Sequence, residues 1–436
     1  MGAVRLRARW VVPVVAPPIA HGALLTDAAG RIVAIGPEAS VPYPVGVPSH
    51  DLGEGALLPG LVNTHAHLEL MNLRGLVTEK PFPRWIARIR RLGDAMTPEQ
   101  FRAAARWGVL ESFAHGITTT GDTGRTGQAA RALAELGARG VAYQETFGPD
   151  PAQLDASIAA LREALHQLDA LASERVEIGV SPHAPYTISD PLLAAVSSLA
   201  HIQQRKVAMH VAESPDETAF MQEGRGAFAD HLRGRSIPVA PRGVSPVRWA
   251  LDGGLEPLEP LLIHCVHVDD RDAKQMADCG ARVAHCPWSN QLLGNGRAPL
   301  PLLRGARIKV GVGTDSVAAG NSLDLFKEMR AAALGLSISP NDWLRMITAD
   351  AADALGIGDA GRLAVGAWGD CCAIALRQPT LARAKDIEGA ISAVVTAEQV
   401  TATWVAGKPV FAGGLFPGVD AVAERQAFEA AIPKAF

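Results

Sequence analysis

Eight short β-rich runs, each closing on polar residues and followed by a stretch of helical period, set the tightest limit on how this 436-residue chain can fold. The runs lie at 56–65, 117–123, 140–147, 176–183, 206–211, 260–268, 281–287 and 307–315. Between them, segments such as 98–114, 127–138, 152–173, 190–204 and 323–335 space their apolar residues three and four apart, as an amphipathic helix does. Strands separated by helices pair in parallel, so eight such units predict an α/β chain built on a (β/α)8 barrel of TIM type. With 48% hydrophobic residues the chain can fill that core.

The two ends read differently. Residues 1–55 look like hairpin strands with turns at Asp27–Gly30 and Gly36–Pro37, and residues 361–412 repeat that texture. Neither flank is long enough to bury a sheet alone, so the two are expected to pair as one small β-sandwich. The expected division is 1–58 (first part of the sandwich), 59–360 (barrel) and 361–436 (second part, plus one amphipathic helix). Two connections, 68–97 and 213–255, are long for βα loops and are expected to form lids or pocket walls.

Composition excludes several classes of function. Forty-one Lys+Arg against 45 Asp+Glu leave a net charge of −4, with no basic excess for a nucleic-acid partner. No uncharged apolar stretch reaches the about 18 residues of a membrane span. Arg5, Arg7 and Arg9 precede an apolar run, but Pro13, Pro17 and Pro18 interrupt it, so the segment reads as strand and turn instead of a leader. Five cysteines, clustered late and without a CxxC pair, suggest reduced thiols in a cytoplasmic protein.

The histidines carry the chemistry. His65 and His67 form an HxH at the end of the first run, and on a strand residues i and i+2 point the same way. His183, His210 and His264 end runs four, five and six, and Asp315 ends run eight. In a (β/α)8 barrel the strand C-termini surround the active site, so these six groups are expected to converge. Three imidazoles and a carboxylate suit Zn²⁺, or Fe²⁺, far better than Ca²⁺ or Mg²⁺. Glu213, three residues past His210, can carry a proton to a substrate atom if burial raises its pKa. His21, His50, His115, His166, His201, His231, His267 and His285 read as packing or surface groups.

LLPGLVNTHAHLEL, HAPYTIS, HVAES, LLIHCVHV, HCPWSNQLLGNG and GVGTDSVAAGNSLDLFKEMR together resemble the amidohydrolase superfamily, across essentially the whole chain. Within it they are similar to the deaminase and chlorohydrolase branch. That resemblance implies one divalent metal on His65, His67, His210 and Asp315. Glu213 and His264 would then act on the water and the substrate, and His183 would contact the substrate. The two-metal hydrolases of the superfamily bridge their ions with a modified lysine at the end of strand four. VEIGVSPHAP has none, and the nearest lysines are Lys80 and Lys206, so a mononuclear site is expected.

The resemblance further implies a hydrolytic deaminase of an aminopurine nucleoside, in which Asp315 accepts a proton from the attacking water and His264 orients it. Glu213 would protonate a ring nitrogen, and ammonia would leave. The first lid offers Phe82, Trp85 and Ile86 as a wall, with Glu79, Arg84 and Arg88 as polar contacts, Glu79 suiting ribose hydroxyls. The second carries Arg225, Arg233, Arg235, Arg242 and Arg248, any of which could clamp a carboxylate. A nucleoside with a carboxylate-bearing tail would use them. The lids are most similar to those of aminodeoxyfutalosine deaminases, which implies conversion of 6-amino-6-deoxyfutalosine to futalosine in menaquinone biosynthesis. The alternatives are a deaminase of S-adenosylhomocysteine, methylthioadenosine or guanine, a chlorohydrolase on the same site, a two-metal amide hydrolase, and an inactive scaffold. The resemblance permits a homo-oligomer.

Overall fold

The structure, a computed structural model, describes residues 2–434; Met1, Ala435 and Phe436, the outermost positions of the segments 1–58 and 361–436, lie outside the described residues. Five strands come first: β1 (Arg5–Val11), β2 (Ile19–Thr26), β3 (Ile32–Pro37), β4 (Ser49–Asp51) and β5 (Ala56–Pro59). Eight follow at the expected runs. They are β6 (Leu61–Ala66), β7 (Ile117–Gly124), β8 (Arg139–Thr146), β9 (Val176–Pro182), β10 (Ala208–Val211), β11 (Leu261–His264), β12 (Arg282–His285) and β13 (Lys309–Val312). The last three are β14 (Cys371–Ile374), β15 (Val400–Val405) and β16 (Lys408–Ala412).

β6–β9 and β10–β13 each form a four-stranded ladder, parallel throughout. Single parallel bridges join the two ladders at both seams: Val180 with Val207, and Ala66 with Asp315. The helix Ala349–Ala354 packs against these strands, and its small residues permit close approach. A Cβ on Gly311 of β13 would lie 2.7 Å from Ala351 Cα.

The expected first strand, 56–65, is two strands. β5 pairs with β1 and β14, whereas β6 starts the parallel ladder against β7. The break falls at Pro59-Gly60, where proline has no N–H to donate and Gly60 N bonds Asp370 O instead. The two chain ends meet along β5 and β14, and their strands form one continuous mixed ladder, β16-β15-β14-β5-β1-β2-β3, with β4 on β1. Where two sandwich layers were expected, the hydrogen bonding describes one sheet. It joins the ends because β14 pairs antiparallel to β5, Leu57 opposite Ala373.

The helices follow their periodicity closely. Pro98–Ala114 begins with a capping box between Thr97 and Gln100, and Gln128–Leu136 ends on Gly137 in the left-handed conformation. The C-terminal helix Ala421–Ala430 lies on Pro98–Ala114, with Phe428 stacked on Trp107 at 5.5 Å and Glu424 paired with Arg106. All five cysteines are unpaired. Among the described residues no helix is long and apolar enough to cross a membrane.

Candidate active site

The C-terminal ends of the eight parallel strands bring the predicted ligands together. His65 lies within β6, and His67 one residue past it, their ring centroids 4.7 Å apart. His210 comes from β10, its centroid 4.9 Å from that of His65. Asp315 follows β13 and donates its backbone N–H to His65 O, which turns its carboxylate inward, 3.3 Å from His65 Nε2 and 3.5 Å from His67 Nε2. Gly313 makes that approach possible, since a Cβ there would sit 2.7 Å from His65 N.

These groups fit a metal ion. One nitrogen on each from His65, His67 and His210 lies within 4.8 Å of the others. His210 Nδ1 faces His183 O at 3.0 Å; a carbonyl only accepts, so Nδ1 carries the proton and Nε2 keeps its lone pair. His67 Nδ1 is similarly turned outward, to the Thr123 hydroxyl at 3.3 Å. Both ring nitrogens of His65 are buried without a hydrogen-bond partner, an arrangement that an ion would relieve. Burial, with His65 beside it, lowers the His67 pKa to about 4, so the ring is neutral as a ligand must be.

Two buried carboxyls at this centre are driven in opposite directions. Burial, the Asp315 charge and Glu217 push Glu213 well above the ordinary carboxylate range, against one hydrogen bond from Asn295 Nδ2 at 3.1 Å. Burial also acts to raise Asp315, but the imidazoles of His65, His264 and His67 beside it outweigh that and hold the group below its usual value. His264 Nε2 stands 3.7 Å from Glu213 Oε1, and its Nδ1 is fixed by Asn290 Oδ1 at 3.0 Å. Burial lowers the His264 pKa to about 3. One environment therefore raises the pKa of one carboxyl and lowers that of the other.

Residues 56–410 match the model of the amidohydrolase family. This chain belongs to that family. A 5-methylthioadenosine/S-adenosylhomocysteine deaminase of Natronomonas pharaonis is 32% identical to it over 373 residues, 82% of each chain. An adenosine deaminase from Xanthomonas campestris with bound zinc superposes with a TM-score of 0.85 and 25% identity, covering 98% of each chain. Helicobacter pylori aminofutalosine deaminase in complex with methylthio-coformycin shares the fold, with a TM-score of 0.81 and 21% identity, covering 94% of this chain and 100% of that one.

Several residues of this amidohydrolase's site gave no signal in the sequence. Glu217 is buried and accepts from the backbone N–H groups of Ala212 and Glu213, at 2.7 and 2.8 Å, and so holds the turn that aims Glu213. Ser289 donates to Asp315, and Asn290 and Asn295 hold His264 and Glu213. All three lie in HCPWSNQLLGNG, which contributed to the family resemblance while its individual roles stayed unread. Glu145, near the end of β8, faces His183 Nε2 at 4.0 Å. Lys206, at the opposite end of β10, bonds Glu177 at 2.8 Å and takes no part in the site.

The lids meet over the site through aromatic rings. Tyr186, from HAPYTIS, stacks on Phe228 of the second lid at 3.9 Å and meets Phe82 of the first edge-on at 6.5 Å. Phe82 in turn stacks on Trp85. The polar lid residues are engaged otherwise. Glu79 accepts from Thr78 N and pairs with Arg88, while Arg84 points to solvent. In the second lid Arg225 pairs with Glu223, Arg233 with Asp230, Arg242 with Asp190 and Arg248 with Asp272. Among the described residues, Arg235 is the one of the five without an acidic partner.

Proposed function

We propose that this amidohydrolase is a hydrolytic deaminase of adenosine-type nucleosides, with the two parallel ladders acting as one (β/α)8 barrel that carries the site at its mouth. The observation that carries the proposal is the convergence of His65, His67, His210, His264 and Asp315 at the strand ends, with the buried Glu213 3.7 Å from His264, its pKa raised where that of Asp315 is lowered. The names of the similar deaminases support the same reading.

His65, His67, His210 and Asp315 would hold one divalent ion, with zinc, present in the Xanthomonas neighbour, preferred over iron. Such an ion lowers the pKa of a bound water from near 16 to about 7. Asp315 accepts a proton from the attacking water. His264 orients that water through Nε2, the nitrogen left free once Asn290 holds Nδ1. Glu213 delivers its proton to the ring nitrogen beside the amine-bearing carbon; Asp315 passes the proton it took from water to the amine, the C–N bond breaks with loss of ammonia, and the proton of the new hydroxyl returns to Glu213. His183 contacts the nucleoside from β9.

The lids support a choice among substrates. A 6-amino-6-deoxyfutalosine reading draws on free lid arginines for its carboxylate, and four of the five are paired within the chain. The aromatic group of Phe82, Trp85, Tyr186 and Phe228 suits an apolar 5′ substituent. The chain's relatives are named for 5′-thio nucleosides. We therefore place 5′-methylthioadenosine first, and after it S-adenosylhomocysteine and aminodeoxyfutalosine, which both carry a carboxylate on the 5′ side.

The test is ammonia release, on protein whose metal has been counted, from these three nucleosides with adenosine, guanine and a chlorotriazine alongside. A kcat/KM above about 10⁴ M⁻¹s⁻¹ for 5′-methylthioadenosine, with one metal per chain, is expected. Release from aminodeoxyfutalosine alone would move the substrate. Release from none of the nucleosides would overturn the reading.

A further inference from the structure

We propose that a cavity beside β12 is an effector site, taking a small hydroxy-carboxylic acid with an apolar body and acting on the site groups through residues 286–298. The cavity measures about 210 Å³, and none of the residues lining it is a group of the site described above. Its position follows from the alternation of side chains along a strand. Ala284 packs with Val62, Val141, Ala208 and Ile263 of the other parallel strands. His285, the next residue, therefore turns the opposite way, toward the helices Leu300–Gly305 and Leu325–Ala333. Those helices give the cavity Pro301, Ala331 and Ala332, and Pro287 and Leu336 extend its apolar lining.

The polar side chains set what this space can hold. His285 lines it while only 3% exposed, and its Nδ1 has no hydrogen-bond partner among the described residues. Burial, with Arg297 beside it, lowers the His285 pKa to about 3, so the imidazole is neutral. A neutral ring has one donor and one acceptor nitrogen, and a hydroxyl, which both donates and accepts, satisfies Nδ1 in either tautomer. Arg297 and Gln291 stand at the exposed rim. Arg297 Nη2 donates to Ala331 O and Leu334 O, at 3.4 and 2.6 Å, and among the described residues the guanidinium has no acidic partner. Its remaining N–H groups suit a carboxylate. A ligand that fits carries its carboxylate outward, its apolar body against Pro301 and Leu336, and a hydroxyl inward to His285.

One wall of the cavity is the segment that holds the site. The helix Pro287–Leu292 and the turn after it give Pro287, Gln291 and Arg297 to the cavity. The same stretch gives Ser289 to Asp315, Asn290 to His264 and Asn295 to Glu213. Asn295 O also faces His267 Nε2 at 2.9 Å. A ligand seated against Pro287, Gln291 and Arg297 favours one arrangement of this stretch, and such a preference is what lets binding shift an equilibrium elsewhere. The three site groups move with the side chains that hold them. A misplacement of about 1 Å can cost roughly 100-fold in rate, so kcat is the sensitive readout.

Isothermal titration calorimetry with 4-hydroxybenzoate, on protein of measured metal content, tests the site itself. Saturable binding with a Kd of about 1 mM or tighter is expected. Benzoate, which leaves His285 unpaired, and phenol, which leaves Arg297 unpaired, should each bind about fivefold or more weakly. Ala331→Phe fills the cavity and should abolish binding. Arg297→Gln should weaken it about fivefold or more, and decides the matter if Ala331→Phe does not fold. No saturable binding up to about 10 mM, or binding unaltered in both variants, overturns the site. The second readout rests on the deaminase reading. Saturating 4-hydroxybenzoate should change kcat for the nucleoside, and not KM alone, about twofold or more in the wild type but not in Ala331→Phe. An unchanged kcat, or an effect on KM alone, overturns the effector role. If no nucleoside is turned over, the deaminase reading fails and the effector role with it, while the calorimetry still judges the site.

Discussion

Ala212, His264, Cys265 and Asp315 all adopt positive φ, +53°, +75°, +48° and +58°, a region that side chains other than glycine seldom enter. Each lies at or just past the end of a parallel strand. Such conformations cost roughly 1–3 kcal/mol apiece and persist where the surroundings impose them. Here they turn strand ends sharply enough to aim His264, Glu213 and Asp315 at one point. In the proposed mechanism Glu213 is the proton donor. Glu213→Gln keeps the shape and removes the transferable proton, so metal content should hold while kcat falls roughly 10²–10⁴-fold. Steady-state kinetics with metal analysis check this, and a loss of under threefold would remove Glu213 from the mechanism. The pH dependence follows from the direction of its shift. Burial, Asp315 and Glu217 raise the Glu213 pKa, so the active, protonated form persists above the usual carboxylate range. The rate should decline as pH rises through that raised value, and the decline should be absent from the Glu213→Gln profile.

At the scale of elements, the two long connections work as a pair. The helix Phe82–Ala95 brings Phe82 and Trp85, the helix Ala227–Arg233 brings Phe228, and both close on Tyr186. Loop length alone marked these segments as lids. Which side chains meet depends on how each lid folds back across the mouth, and that has no local signature. Aromatic pairs of this kind add about 0.5–1.5 kcal/mol beyond the area they bury. Phe228→Ala should therefore lower kcat/KM for 5′-methylthioadenosine roughly tenfold, and that for adenosine less, because only the former carries an apolar group toward the lids. Parallel kinetics on the two substrates test this; equal losses would mean that the lid packs without reading the 5′ group.

Across the whole molecule, one buried ion pair ties the parallel strands to the sheet built from the chain ends. Arg139 of β8 bonds Asp370, just before β14, at 2.7 Å, with both side chains essentially inaccessible. Asp370 also accepts from Ala406 N at 2.7 Å, and the Arg139 guanidinium lies 4.3 Å from the Trp368 ring. Removing one partner of such a pair leaves a charge buried without compensation and costs roughly 3–5 kcal/mol. Asp370→Asn should lower the urea unfolding midpoint accordingly and leave the KM for the nucleoside unaltered, because the pair is remote from the imidazole cluster. An unchanged midpoint would show that the two sheets are held by other contacts.

Sequence alone determined the eight parallel strands, the helices between them and the placing of six histidine and aspartate groups at the strand ends. These are local properties: period two or 3.6 marks each element, and a polar residue closing an apolar strand marks its exposed end. His65 and His67 were legible because alternate strand residues share a side, and Glu213 because it sits three residues past His210. Tertiary structure decided the rest. The run 56–65 became two strands because Gly60 bonds to Asp370, some three hundred residues away in the chain. The lid arginines were visible as charge, but only the fold gave Arg242 to Asp190 and Arg248 to Asp272. Glu217, Asn290 and Asn295 draw their roles from the groups they face, and a residue's composition and spacing carry no record of what distant chain will be folded against it.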